Sequence, residues 1–315
     1  MKVPDWTPPT LATLTDERFS DPDWIFERKL DGVRGLAFRD GDRMRLLSRN
    51  RLPLNNTYPE ITEALAKQDP TRFVMDGEIV AFEGRRTSFA RLQGRSGITN
   101  AEEARASRIP VFYYVFDLLH LDNDDIAAQP LILRKRLLRN NFRFEDPLRY
   151  TTHRVTDGET AYRAACERGD EGVIAKLAES HYEGGRSRNW LKFKCSRDQE
   201  FVIVGYTAPK GSRVGLGALL LGYYQGADLV YAGKVGTGFD DATLRTLHDR
   251  LSRTEQKTSP ITSGAVRESG ARWVRPKLVA QVAFGEWTRD GKLRHPRYLG
   301  LRTDKSPDEV VRETR

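Results

Sequence analysis

Cysteine is scarce in this chain: only Cys166 and Cys195 occur among 315 residues. They form no CxxC pair and no Cys/His cluster, so neither a zinc site nor a disulfide framework is expected, and a reducing compartment fits. Long apolar runs are absent as well. No uninterrupted segment approaches the roughly 20 residues that span a bilayer. The opening "MKVPDWTPPT" lacks the apolar core of a secretory signal. A cytoplasmic protein is therefore expected. Acidic residues are the minority charge, with Lys+Arg 52 against Asp+Glu 44 and a net charge of +8. That balance favours a polyanionic partner through phosphate contacts and counterion release. Internal repeats and low-complexity tracts are missing too.

What is present is enough for two soluble domains, at 38% hydrophobic residues. The first two thirds mix element types. Strand-like runs are "WIFERK", "RGLAF", "MRLLS", "RFVMDGEIVAF" and "VFYYVFDLLHL", and helical patterns occur at "PEITEALAKQ", "LILRKRLLRN" and "GETAYRAACERG". "RDGDR" at Arg39 to Arg43 reads as a hairpin turn, so much of the sheet is expected to be antiparallel. After Cys195 come short, glycine-punctuated strands, "EFVIVGYT", "GALLLGYYQG", "DLVYAGKVG" and "KLVAQVAFGEWT", with one helix at "DDATLRTLHDRLS". A small Greek-key barrel of the OB type would show this texture. The boundary is placed near Ser196, and the polar segment from Thr254 to Gly270 reads as a mobile surface loop.

Chemistry concentrates around "ERKLDGVR". Strand alternation puts Glu27 and Lys29 on one face, and Gly32 after Asp31 marks a turn. A lysine is a useful nucleophile when burial or a neighbouring cation lowers its pKa, and Arg34 is close enough in sequence to be such a cation. By itself the stretch is more simply a strand and turn with solvated charges. In "VMDGEIVAF", however, Glu78 lies inside an apolar strand, where an ionised carboxylate is costly without a partner. "DEGVIAK" puts Glu171 directly before an apolar strand that ends at Lys176. Two such carboxylates suit Mg²⁺, a hard ion that binds oxygen ligands and phosphates together. In "NWLKFK", Lys192 and Lys194 face one way, as a phosphate clamp requires.

"KLDGVR", "LLSRNR", "VMDGEIV", "YYVFDLL", "DEGVIAK" and "WLKFK" follow one another in the order of the nucleotidyltransferase motifs of ATP-dependent DNA ligases. RNA ligases and mRNA capping enzymes share this superfamily. "YYVFDLLHLD", "YAGKVGTGF" and "AFGEWTRDGKLRHPRYLGLRTDK" resemble most closely the ligase module of bacterial ligase D, an enzyme type of non-homologous end joining. The resemblance implies an α+β fold. A nucleotidyltransferase (ATP-grasp-like adenylation) domain with antiparallel sheets over 1–195 would precede a β-barrel OB-fold domain over 196–315.

It also implies roles. Lys29 would attack the α-phosphate of ATP and hold AMP, with Asp31, Lys192 and Lys194 in the catalytic set. Glu27 would contact adenine, Arg34 and Arg49 the ribose and phosphate, and Phe116 the adenine face, with Lys176 also in the nucleotide site. Glu78 would contact the ribose or a metal, and Glu171 would help hold that metal, Mg²⁺ or Mn²⁺. From the basic C-terminal stretch, Arg294, Arg297, Arg302, Asp304 and Lys305 would close over ATP as a mobile second domain turns about "KCSRDQE". The implied substrate is nicked or broken duplex DNA, with Ku as a partner, in a monomer associated with the nucleoid. "SRNR" departs from the family by placing arginine where many ligases have glycine, so the local turn is expected to differ. No separate DNA-encircling, polymerase or phosphoesterase module is apparent. The competing readings are another nucleotidyl transferase of the superfamily, an RNA ligase or a GTP-using capping enzyme, and a non-catalytic nucleic-acid-binding module. Against the last stands the intactness of Lys29, Glu78, Glu171, Lys192 and Lys194.

Overall fold

The computed structural model describes residues 2–209, 211–264, 266 and 268–313. The chain divides into two compact units between Cys195 and Ser196.

The first unit is built on two sheets. One has five strands in the order Thr10–Leu14, Gly185–Lys194, Gly172–Leu177, Trp24–Lys29, His153–Val155. The other follows the path Leu148–Tyr150, Phe112–Leu121, Arg72–Val80, Val33–Asp40, Arg43–Ser48. Most pairings are antiparallel, as the hairpin at Gly41 requires; its φ of 63° is a conformation that glycine adopts without a Cβ penalty. Two pairings are parallel, Thr10–Leu14 with Gly185–Lys194 and Leu148–Tyr150 with Phe112–Leu121, so the sheets are mixed.

Each face of the five-stranded sheet has its own chemistry. Phe26, Val173, Ala175 and Phe193 alternate onto one face and form a cluster with Ala165 of the helix Gly158–Glu167. On the other face, Trp190 packs with Leu36, Phe38, Val74, Phe116 and Tyr182, so the two sheets meet there. The larger core, around Phe73, Met75, Tyr113 and Leu118, lies beneath the second sheet with the helix Pro59–Ala66.

The cysteine expectation is corrected here. The last turn of the helix Gly158–Glu167 and the end of the strand Gly185–Lys194 come together, and Cys166 and Cys195 form a disulfide with their Cα atoms 5.2 Å apart. Spacing in the sequence could not reveal this, because the helix packs back onto the sheet that the second cysteine terminates.

The second unit has a single core around Phe201, Leu219, Leu221, Tyr231, Leu247 and Val279. Its sheet runs Asp228–Val235, Leu219–Gln225, Asp198–Thr207, Ala271–Ala283, Glu255–Gln256, with Arg297–Leu301 also paired to Ala271–Ala283. The helix Asp241–Ser252 packs on it, capped by Asp240, whose side chain accepts from the Thr243 N–H. Among the described residues no pairing closes this sheet into a barrel. The polar segment after Thr254 is tied to the sheet at two places. Glu255 and Gln256 pair with Val274 and Trp273, and Ser263 bridges to Val230. Ala265 and Arg267 of that segment lie outside the described residues.

Candidate active site

Three register rows build the site floor. Ile25, Lys176 and Trp190 stand abreast, as do Glu27, Ile174 and Lys192, and then Lys29, Gly172 and Lys194. Residues abreast in antiparallel strands project to the same face, so Glu27, Lys29, Lys176, Lys192 and Lys194 share it. Gly172 leaves the gap between Lys29 and Lys194 without a side chain. At its φ of 144° an added Cβ would stand 1.9 Å from the Phe193 carbonyl oxygen. Gly32 is similarly constrained: a Cβ there would meet the Ile79 carbonyl oxygen at 2.1 Å, so the turn after Lys29 can approach the second sheet only as glycine.

Lys29 forms an ion pair with Glu171 Oε1. This pairs the expected nucleophile with the expected metal ligand, whereas the expected cation beside Lys29, Arg34, is engaged elsewhere. Glu27 is buried and holds two ammonium groups, Lys135 on Oε1 and Lys176 on Oε2, the latter at 2.6 Å. Burial alone would push its carboxyl up; the two lysines outweigh that and hold it below the ordinary range. Lys135 also donates to the Thr151 carbonyl at 3.0 Å. Lys176 is pushed down to about 8, first by burial and also by Lys135, with Glu27 opposing. Its Nζ lies 4.1 Å from the Phe116 ring centroid and 4.0 Å from that of Trp190.

The second sheet supplies the opposing wall. Arg34 and Glu78 are directly paired, as are Leu36 and Asp76. The Arg34 guanidinium binds the fully buried Asp76 through Nε and a terminal nitrogen. Tyr182 donates to the same carboxylate at 2.5 Å. Arg34 also sits 4.6 Å from the Phe116 centroid. Phe116, at 8% exposure, is thus edged by Trp190 and flanked by two cations. One turn of the helix Leu131–Asn141 secures its strand from behind, where Arg134 grips Asp117 at 2.8 and 2.9 Å with both side chains fully buried.

The remaining expected residues are placed more variously. The Asp31 N–H donates to Thr87 Oγ1 at 3.2 Å and its carboxylate accepts from the Phe89 N–H at 3.3 Å, a bracing position at the turn after Lys29. Arg49 is half-buried in the turn after Arg43–Ser48. The departure in "SRNR" has a structural counterpart: Arg51 takes φ 63°, a region favoured by glycine, and its guanidinium lies 5.0 Å from the Trp6 ring centroid. Arg294, Arg297, Arg302, Asp304 and Lys305 all belong to the second unit. There Arg302 forks onto Asp304 at 2.9 and 2.7 Å, Lys305 reaches Glu200 at 3.3 Å, and Arg294 pairs with Glu286 at 2.7 Å. Asp304 is buried, which raises its pKa, but Arg302 and Lys305 bring it below the usual range. Sequence reading missed Asp76, Lys135, Arg134 and Tyr182.

For a divalent ion, Glu171 has a fitting donor: its Oε2 is buried without a hydrogen-bond partner. The described residues contain no group of three or more acidic, histidine or cysteine side chains that could hold an ion. A cation here would therefore rest on one or two carboxylates and on phosphate oxygens, the manner in which Mg²⁺ is commonly held.

Similarity to known proteins follows the same two-part layout. The family described as "ATP dependent DNA ligase domain" matches residues 9–194, and "ATP dependent DNA ligase C terminal region" matches residues 212–305. The multifunctional non-homologous end joining protein LigD of Pseudomonas aeruginosa is 39% identical over 319 residues, covering 99% of this chain and 37% of its own length. LigD of Mycobacterium tuberculosis is 35% identical, covering 97% of this chain and 40% of its own. The chain thus spans about two fifths of the length of these curated relatives. A solved mycobacterial DNA ligase D complexed with ATP and MES is 33% identical with a TM-score of 0.67, covering 97% of this chain and 98% of that one. With one family match covering more than half of its residues and the other falling on the second unit, the chain belongs to the family of ATP-dependent DNA ligases.

Proposed function

We propose that this chain seals nicks bearing a 3′-hydroxyl and a 5′-phosphate through a lysyl-AMP intermediate on Lys29, in DNA repair by non-homologous end joining. The observation that carries the reading is the shared sheet face of Glu27, Lys29, Lys176, Lys192 and Lys194, walled by Arg34, Glu78 and Phe116. A relative solved with ATP supports the choice of nucleotide.

In the first step Lys29 Nζ, once deprotonated, forms a bond to the α-phosphorus of ATP as the bond to pyrophosphate breaks. The Glu171 contact holds Nζ in place. Lys192 and Lys194 offset the charge that develops on the α-phosphate. Glu27, kept ionised by its two lysines, accepts from the adenine amino group, and Phe116 packs against the base. Glu171 and Glu78 would hold Mg²⁺ or Mn²⁺, which supplies charge neutralisation at the phosphates. AMP then passes to the DNA 5′-phosphate, and the 3′-hydroxyl displaces it. Arg294, Arg297, Arg302, Asp304 and Lys305 are proposed to act on the nucleotide during the first step, with Arg302 pre-oriented by Asp304. The domains would be adenylation over 1–195 and OB-fold over 196–315. A Ku-like DNA-end-binding partner, a monomeric state and nucleoid association are part of the same proposal.

The test is incubation with α-labelled ATP and Mg²⁺ or Mn²⁺, then denaturing electrophoresis. Covalent label is expected in the native protein and none in Lys29→Ala; label retained by that variant would sink the mechanism. Nicked duplexes with DNA or RNA on each side test the substrate, and joining of RNA 3′-ends alone would overturn it.

A further inference from the structure

Arginines gather at one end of the five-stranded sheet without a place in the nucleotide chemistry. Arg28 precedes Lys29, and Asp170 precedes Glu171, so the ion pair between Arg28 and Asp170 at 2.7 Å adjoins that between Lys29 and Glu171. Strand alternation turns Arg28 to the face away from Lys29. Asp170, whose side chain is 3% exposed, is shared with Arg168 at 3.0 Å. The short hairpin Phe82–Glu83 and Arg86–Thr87 adds two more cations. The Arg85 carbonyl accepts from Arg28 at 3.4 Å, and Arg86 Nε donates to the Arg168 carbonyl at 2.8 Å.

Arg86 is seated rather than merely exposed. Gly169 has φ 71°, and a Cβ on it would stand 2.4 Å from the Arg86 guanidinium carbon, so only glycine lets that group lie against the turn. Arg28 and Arg168 thus share the Asp170 carboxylate, and the turn carrying Arg85 and Arg86 is hydrogen-bonded beside them. Glu83, across the hairpin from Arg86, accepts from Ser88 Oγ at 3.4 Å, and with it counted the patch still carries excess positive charge.

Such an arrangement suits a phosphate backbone. Guanidinium forks bind phosphate oxygens bidentately, and duplex DNA presents charge about every 1.7 Å of its axis. We propose that Arg28, Arg85, Arg86 and Arg168 form a docking patch for the DNA phosphates that flank the nick, holding the duplex while its 5′-phosphate meets Lys29. This rests on the ligase reading above. The carboxylate of Asp170 orients Arg28 and Arg168, the Arg168 carbonyl holds Arg86, and the exposed Arg85 and Arg86 supply most of the grip.

The experiment uses the full chain with Arg85→Ala and Arg86→Ala combined, and Arg168→Ala separately. Labelling of Lys29 by ATP is expected to stay at the native level, because none of the four stands on the strand face that carries Lys29. Affinity for a nicked duplex oligonucleotide is expected to fall at least tenfold, with the slope of log Kd against log salt reduced by about 1.8 for the two lost phosphate contacts. Arg85→Lys with Arg86→Lys, which keeps the charge, is expected to restore most of the slope. Arg105→Ala, which removes an exposed pair with Glu63 on another surface, is the control and should leave the slope unchanged. Unaltered affinity and slope in the double alanine variant would overturn the patch, as would an equal loss in the Arg105 control. Absence of label on native Lys29 would instead strike the ligase reading, and the patch would still be judged by the binding slopes.

Discussion

Lys176 is the residue whose environment makes the clearest prediction. It is fully buried between two aromatic rings and shares Glu27 with a second lysine, which leaves its pKa near 8. A lysine lowered in this way is charged below about pH 8 and neutral above it. If its charge helps to hold the nucleotide, affinity for ATP falls as pH rises from 7 to 9. Equilibrium binding to Lys29→Ala, which cannot react, isolates this effect from deprotonation of the nucleophile. Several-fold weakening is expected there, and a flat profile once Lys176→Met is added. Asp76 makes the stability counterpart. It is fully buried under Arg34 and Tyr182, and removing one partner of such a pair leaves an uncompensated charge. Asp76→Ala should therefore cost about 3–5 kcal/mol in denaturant unfolding.

Single strands carried most of what could be read in advance. A period of two places Glu27 with Lys29, and Lys192 with Lys194, whatever the rest of the fold does, and the register rows keep those pairs on one face. Glycine in "KLDG" was legible as a turn, though not as the close approach to Ile79 that forbids a Cβ. Partnerships across long separations were not legible. Lys135 meets Glu27 over 108 residues and Tyr182 meets Asp76 over 106, and each looks locally like an ordinary helix or loop residue. The same blindness concealed the Cys166–Cys195 bond. That bond closes a segment holding Glu171, Lys176, Lys192 and Lys194, so the hairpin that carries half the site is tied at its base. By chain entropy alone a loop of this length contributes about 3–4 kcal/mol. Reduction with a dithiol, or Cys166→Ser, should lower the melting temperature of the first unit, as followed by calorimetry with and without reductant. A melting temperature unmoved by reductant would show that the bond adds nothing to the packing of that helix.

At the scale of the whole molecule, the apolar clusters divide at the same place as the chain. Every residue of the cluster around Phe201, Leu219, Tyr231 and Val279 lies beyond Ser196, and the three other clusters lie entirely before it. A stretch of about 120 residues with its own core and a paired sheet is within the size range of independently folding domains. The fragment 196–315 should consequently fold alone. Its circular dichroism would show the sheet, and its urea transition would be cooperative, with a slope matching its size. The first unit carries the proposed nucleophile and Glu171, and removal of the second should leave the buried pairs Glu27–Lys135, Arg34–Asp76 and Arg134–Asp117 intact. Amide exchange of the fragment 1–195 should then show the same protected strands as the full chain. A fragment that unfolds without a cooperative transition would mean that the two cores are not separate in stability.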